Sequence, residues 1–170
     1  DRYMNKNTLS EIALYHGDIA MPKNFEIDRD KLSSDILQSN ITDSPFPFSR
    51  NWDMLNTYIR DHFNLDYGQT LVNKLTWGNA YKPNEVSVPL LNIDPVDLRN
   101  SPDFTFLYGV KVSNCNVRIH YEDNRRKGRS WDIKLENNKF IMFPSTCMYY
   151  ITNTQRDSLN FVQTITYEYI

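Results

Sequence analysis

The sequence predicts an α+β chain that is mainly β: an N-terminal strand and two helices, then about eight short strands in a sandwich, jelly roll or barrel. Three observations carry this. Before residue 68, two stretches place apolar residues at helical spacing behind a capping side chain. From Gln69 onward the apolar residues come in short runs rich in Val, Ile, Thr, Tyr and Phe, each closed by a turn signal. The 170 residues hold only five glycines, and neither a low-complexity stretch nor a repeat breaks them. One domain over 1–170 is therefore expected, with the N-terminal strand and helices in 1–68 and the β core in 69–170.

Residues 10–16 (Ser-Glu-Ile-Ala-Leu-Tyr-His) read as a strand ending at Gly17. Asp28 or Asp30 caps a short helix whose Leu32, Ile36 and Leu37 are spaced to face the core. After a turn at Ser44–Pro47, Ser49 or Asn51 caps a clearer helix. There Trp52, Leu55, Tyr58, Ile59 and Phe63 repeat at helical spacing until Asn64–Gly68 ends it. Strands are expected at 71–77, 79–81, 85–91, 104–112, 116–121, 130–135, 139–143, 148–152 and 159–169. The turn signals between them include Lys82-Pro83-Asn84, Ser101-Pro102-Asp103, Glu136-Asn137-Asn138 and Asn153–Asp157. The last strand sets Phe161, Gln163, Ile165, Tyr167 and Tyr169 against Val162, Thr164, Thr166 and Glu168, a half-buried pattern with one aromatic, apolar face.

Net charge is −2, so no basic field points to nucleic acid or to an anionic membrane as partner. The one dense basic cluster, Arg125, Arg126, Lys127 and Arg129 around Gly128, reads as a solvated hairpin tip. No apolar run approaches the ~20 residues of a membrane span, and no signal peptide is visible, although a leader removed before Asp1 would leave the same sequence. A cytoplasmic or virion-associated protein is expected. Cys115 and Cys147 are too few for a disulfide framework or a Cys-rich zinc site and read as buried free thiols, which suits a reducing compartment.

Catalytic patterns are sparse. The three histidines, His16, His62 and His120, fall in three separate elements. His62 sits near a helix C-terminus, where the dipole favours an imidazolium. His120 and Glu122 would share a face of one strand, and a His-x-carboxylate pair is part of a facial iron triad. Nothing downstream supplies a second histidine, and the plainer reading makes His120 a cross-strand polar partner with Glu122-Asp123-Asn124 opening the hairpin turn. Ser145 lacks a Gly-x-Ser-x-Gly elbow, and Cys147 with His120 is a nucleophilic pair only if the fold brings them together. Asp94 and Asp97 look like turn and cap chemistry. No catalytic residue is assigned.

One stretch says more. Phe140-Ile141-Met142-Phe143-Pro144-Ser145, followed by Tyr149 and Tyr150, reads as a buried strand, a Pro-Ser corner and a second strand. With Trp77–Glu85 before it, Phe104–Val110 between, and Leu159–Tyr169 after, the order of segments over about 100 residues resembles the double-stranded β-helix of the iron(II)- and 2-oxoglutarate-dependent oxygenases, their prolyl-hydroxylase-like branch above all. The resemblance implies a jelly roll with the two helices packed on it. It also implies a His-x-Asp metal pair where this chain reads Leu90-Leu91-Asn92, a distal histidine where Tyr149 stands, and a basic residue for oxoglutarate near Leu159–Phe161, where there is none; Arg156, in the turn, is nearest.

Four functional positions are thus changed together, which points to a degenerate or non-catalytic oxygenase-like jelly roll without metal, acting as a binding or structural module. Its pocket would be lined by Tyr81, Asn92, Tyr108 and Tyr149, for a ligand or protein partner that the sequence does not name. The alternative is an active oxygenase or other cupin-like metalloenzyme with iron(II) and 2-oxoglutarate, using His120 and Glu122. The Asn- and Tyr-rich texture is similar to proteins of marine T4-like phages, so a structural protein assembling through strand edges as a homo-oligomer is a third reading.

Overall fold

Capping side chains set where the helices begin. In the computed structural model, which describes residues 3–47, 49–124 and 127–170 (122–124 and 127 by backbone alone), Asp28 accepts from the Lys31 N–H at 3.1 Å and opens α1 (Arg29–Thr42). Ser49 accepts from the Trp52 N–H at 3.2 Å and opens α2 (Arg50–Tyr67), which ends at Gly68 in the left-handed region, φ 70°. Of the two capping candidates at each helix, these are the ones used. Asn51 instead accepts from the Asp28 N–H at 2.9 Å, tying one helix start to the other. Leu32 and Ile36 are buried as expected, whereas Leu37 is 38% exposed: one position on from Ile36, it turns off the buried stripe.

A short strand, β1 (Tyr15–Asp18), precedes the helices. After them come β2 (Leu71–Tyr81), β3 (Phe104–Lys111), β4 (Cys115–Asn124), β5 (Lys127–Leu135), β6 (Lys139–Pro144), β7 (Met148–Asn153) and β8 (Asn160–Tyr169). They form a five-stranded sheet in the order β1-β6-β3-β8-β2 and a three-stranded sheet in the order β5-β4-β7, with every pairing antiparallel. Two isolated bridges, Val86↔Thr152 and Leu90↔Tyr149, lay the segment after β2 along the free edge of β7. Beyond the β4–β5 hairpin, successive segments alternate between the two sheets, which is jelly-roll winding.

The larger sheet buries both faces. Alternate residues of its central strands, Phe106, Tyr108, Val110, Ile165 and Tyr167, pack under α1 and α2. The residues between them, such as Leu107 and Val162, meet Val117, Ile119, Tyr149 and Ile151 of the smaller sheet. Tyr167 reaches through the first layer to donate to the Asn56 side chain of α2 at 2.8 Å. α1 lies so close on β2 that a Cβ at Gly78 would run into Ile36.

Several expectations need correction. The N-terminal strand pairs only at Tyr15–Asp18; residues 10–14 have no strand partner. The runs 71–77 and 79–81 are one strand with a register shift between Asn73 and Leu75. The run 85–91 keeps just its two bridges: Pro89 has no N–H to give a ladder. β8 is buried on both faces, its Thr164 and Thr166 as well as its aromatics, because it lies inside the sheet, flanked by β3 and β2 and covered by a layer on each face. The turn asparagines behave as read: Asn84 and Asn138 adopt positive φ, 58° and 62°. Of the basic hairpin tip, Arg125 and Arg126 lie outside the described residues.

Candidate functional site

The inner faces of the two sheets bring together residues far apart in sequence. The backbones of Leu90 and Tyr149 exchange hydrogen bonds of 2.9 and 3.0 Å. Two residues on, the Asn92 amide donates to the Tyr149 hydroxyl and to Thr105 Oγ1, each at 3.1 Å. The Thr105 and Ser145 hydroxyls pair at 2.9 Å, with Ser145 1% exposed. Ser145 is held there by its own N–H, which donates to the Asp103 carbonyl at 2.9 Å across the Pro144 corner. The result is a polar chain, Asn92–Tyr149 and Asn92–Thr105–Ser145, set into an apolar wall.

Tyr149 is 2% exposed, and its ring meets Phe143 edge to face at 5.1 Å. Burial pushes its phenol up to about 12, against the smaller opposing effect of the Asn92 bond. The same loss of solvent raises Tyr81, with the neighbouring Tyr149 adding to it, and lifts the Cys115 thiol to about 12. These groups stay protonated and neutral near pH 7.

Of the residues expected to line one pocket, Asn92 and Tyr149 are hydrogen-bonded, and Tyr81 shares their inner core. Tyr108 does not join them. It belongs to the helix-side cluster and donates to Asn138 at 2.7 Å, because Leu107, its neighbour on β3, takes the inward direction. Thr105 and Ser145 complete the network instead. Ser145 stood out as the corner residue, but Thr105 was hidden in an apolar run.

The histidines stay apart. His120 follows inward-facing Ile119 on β4 and so lies on the outer face of the smaller sheet, 5.3 Å from the Tyr150 ring centre to centre. It therefore does not meet Cys147, which is in the inner core. The side chain of Glu122 lies outside the described structure. His62 donates from Nδ1 to the Tyr58 carbonyl at 2.8 Å and stacks on the Tyr58 ring. Asp94 accepts from the Val96 N–H, and Asp97 from Asn100, as turn and cap groups do.

The residues at the position where the resemblance places iron do not fit it. Leu90 offers no donor atom, Asn92 directs its NH2 group at its neighbours, and Tyr149 is a neutral phenol. Iron(II) in such a site is held by neutral imidazole and carboxylate. Nor, among the described residues, is there a place prepared for a dicarboxylate beside them. Ile151, next inward along β7, faces Val117, and Leu107 and Val162 close the core around them, all at most 1% exposed. Near the start of β8, Asn160 is engaged with the backbone of Ser113, and Phe161 turns to the helix side. A buried carboxylate without a cation is costly. Among the described residues, no group of three His, Cys, Asp or Glu side chains is placed to hold a metal.

No protein-family model matches the chain, and no curated protein matches it by sequence. Solved structures do. A prolyl-4-hydroxylase from Pseudomonas putida superposes with a TM-score of 0.62 at 12% identity, over 91% of this chain and 87% of that one. The viral collagen prolyl hydroxylase of Paramecium Bursaria Chlorella virus-1 gives 0.62 at 11%, over 91% and 94%. The non-heme α-ketoglutarate-dependent epimerase SnoN of nogalamycin biosynthesis gives 0.62 at 8%, over 91% and 78%. Hydroxylases and an epimerase on one frame illustrate that a fold does not choose a reaction. The chain has the jelly-roll, double-stranded β-helix fold of the 2-oxoglutarate- and iron(II)-dependent oxygenase structures.

Proposed function

We propose that this domain is an oxygenase-like jelly roll that has given up metal chemistry and works as a binding or structural module. The observation that carries the reading is the Tyr149–Asn92–Thr105–Ser145 network. At the place where the resemblance expects metal ligands, this chain has hydroxyls and an amide hydrogen-bonded to one another. A metal there would have to break those bonds and would gain no anionic or imidazole ligand in return.

The test is metal content of protein purified without chelator, then anaerobic titration with iron(II) and an assay for conversion of 2-oxoglutarate to succinate. Sub-stoichiometric metal and no turnover are expected. Iron near one equivalent together with oxoglutarate consumption overturns the reading.

The fold likeness supports one alternative, an iron(II) and 2-oxoglutarate enzyme with an unusual ligand set. In its sequence-based form it relies on His120 and Glu122, and it predicts that His120→Ala abolishes metal uptake. The outward position of His120 speaks against it, and equal metal binding by parent and variant sinks it.

A further inference from the structure

We propose that the cleft where the two sheets part, between β1–β6 and β4–β5, binds a neutral, planar aromatic small molecule. The cleft measures about 590 Å3, and pockets that enclose such ligands run from about 300 to 1,000 Å3. Its floor is Ile119 and Phe143, and the N-terminal segment forms the far wall with Ser10, Leu14 and His16.

The near wall is the unusual part. Trp131 stands opposite Ile119 on β5, in alternation with Ile133 and Leu135, so its indole points to the same inner side as theirs. Leu135 is covered, but Trp131 is 58% exposed, with Tyr121 beside it in the cleft. A large flat ring left uncovered on an inward-facing position is apolar area that a second flat ring can bury.

Chemistry narrows the class. Among the described residues, no Asp, Glu, Lys or Arg side chain lines the cleft, so a charged ligand would be desolvated without a counter-charge. The lining side chains that carry a polar atom are those of Ser10, His16, Tyr121, Trp131 and Cys147, all uncharged or ring groups. A sugar would leave most of its hydroxyls unpaired there, whereas an aromatic ring with one or two hydrogen-bonding groups would not. The Phe143 ring, 5.1 Å from that of Tyr149, separates the cleft from the Asn92–Tyr149 network. The proposal gives the binding-module reading a ligand class but rests on another cavity. Metal titration therefore tests that reading alone, and the following experiment tests this one.

Three probes suffice: 2-naphthol as the neutral flat ring, 2-naphthoate as its anionic counterpart, and methyl β-glucoside as the sugar. Binding to the whole chain is followed by tryptophan fluorescence and by the indole N–H signals in NMR, with thermal melts confirming that the variants are folded. Expected are saturable binding of 2-naphthol with a shift of the Trp131 indole signal, and weakening of at least about five-fold in Trp131→Ala. Trp131→Phe should keep most of the affinity. Absence of saturable 2-naphthol binding overturns the proposal. So does equal affinity in Trp131→Ala, or tighter binding of 2-naphthoate or the glucoside.

Discussion

Tyr149 stands at one end of the buried polar network. Its hydroxyl accepts from Asn92, which also reaches Thr105, so removing that hydroxyl leaves the amide one partner. Tyr149→Phe should cost about 1 kcal/mol in denaturant unfolding and leave metal content unchanged. A loss above about 3 kcal/mol would mean that the network matters more than its bonds suggest. The raised phenol also has a pH signature. A group whose proton is held more tightly in the folded state contributes stability that is complete below its unfolded value, ordinarily 10, and is lost as pH rises toward its folded value of about 12. Cys115, ordinarily near 9 and lifted to about 12, acts the same way from a lower pH. Stability should therefore fall between about pH 9 and 12, by up to about 1.4 kcal/mol per pH unit for each such group. The fall should be shallower in Tyr149→Phe. A flat profile to pH 12 contradicts this account. A constructive test also belongs here. Leu90, Asn92 and Tyr149 already adjoin one another, so the triple variant Leu90→His, Asn92→Asp, Tyr149→His should take up cobalt(II), seen by its visible spectrum, where the parent does not.

At the level of elements, glycines mark where layers press together. A Cβ at Gly109 would strike the backbone carbonyl of Glu136, and one at Gly78 the branched side chain of Ile36, at Cγ1 first. Both alanine variants should destabilise, by about 1–3 kcal/mol for Gly78→Ala, and Gly109→Ala should be the worse in thermal melts, since backbone yields less than a side chain. Much of the architecture was readable because its signals are local: Asp28 and Ser49 cap, Gly68 stops a helix, and Asn84 and Asn138 take the left-handed conformation that tight turns need. Parity was not readable in β3. Its run from Phe104 to Val110 is apolar on both faces because the strand is central, so nothing local showed that Tyr108 faces the helices and Thr105 the inner network. On β5, Trp131, Ile133 and Leu135 alternate along one face of a strand expected at 130–135, and only the opening of the layers distinguishes Trp131.

For the whole molecule, the two helices act as the cover of the larger sheet. Phe106, Tyr108, Ile165 and Tyr167 are fully buried beneath them. A deletion of residues 19–68 should leave a protein that binds 8-anilinonaphthalene-1-sulfonate strongly and aggregates; a soluble deletion variant with a cooperative melt would show that the sheets need no cover. The winding has a further effect, on time rather than stability. β2 finds its partner in β8, with Leu71 opposite Tyr169, and β1 finds its partner in β6, with Tyr15 opposite Met142. The first strand of the jelly roll thus waits for the last. During synthesis, β2 leaves the ribosome with both edges unpaired and gains no partner until β8 follows, a window in which another chain's strand can take that place. Order of emergence, and not only final packing, decides how much of this protein reaches its native form.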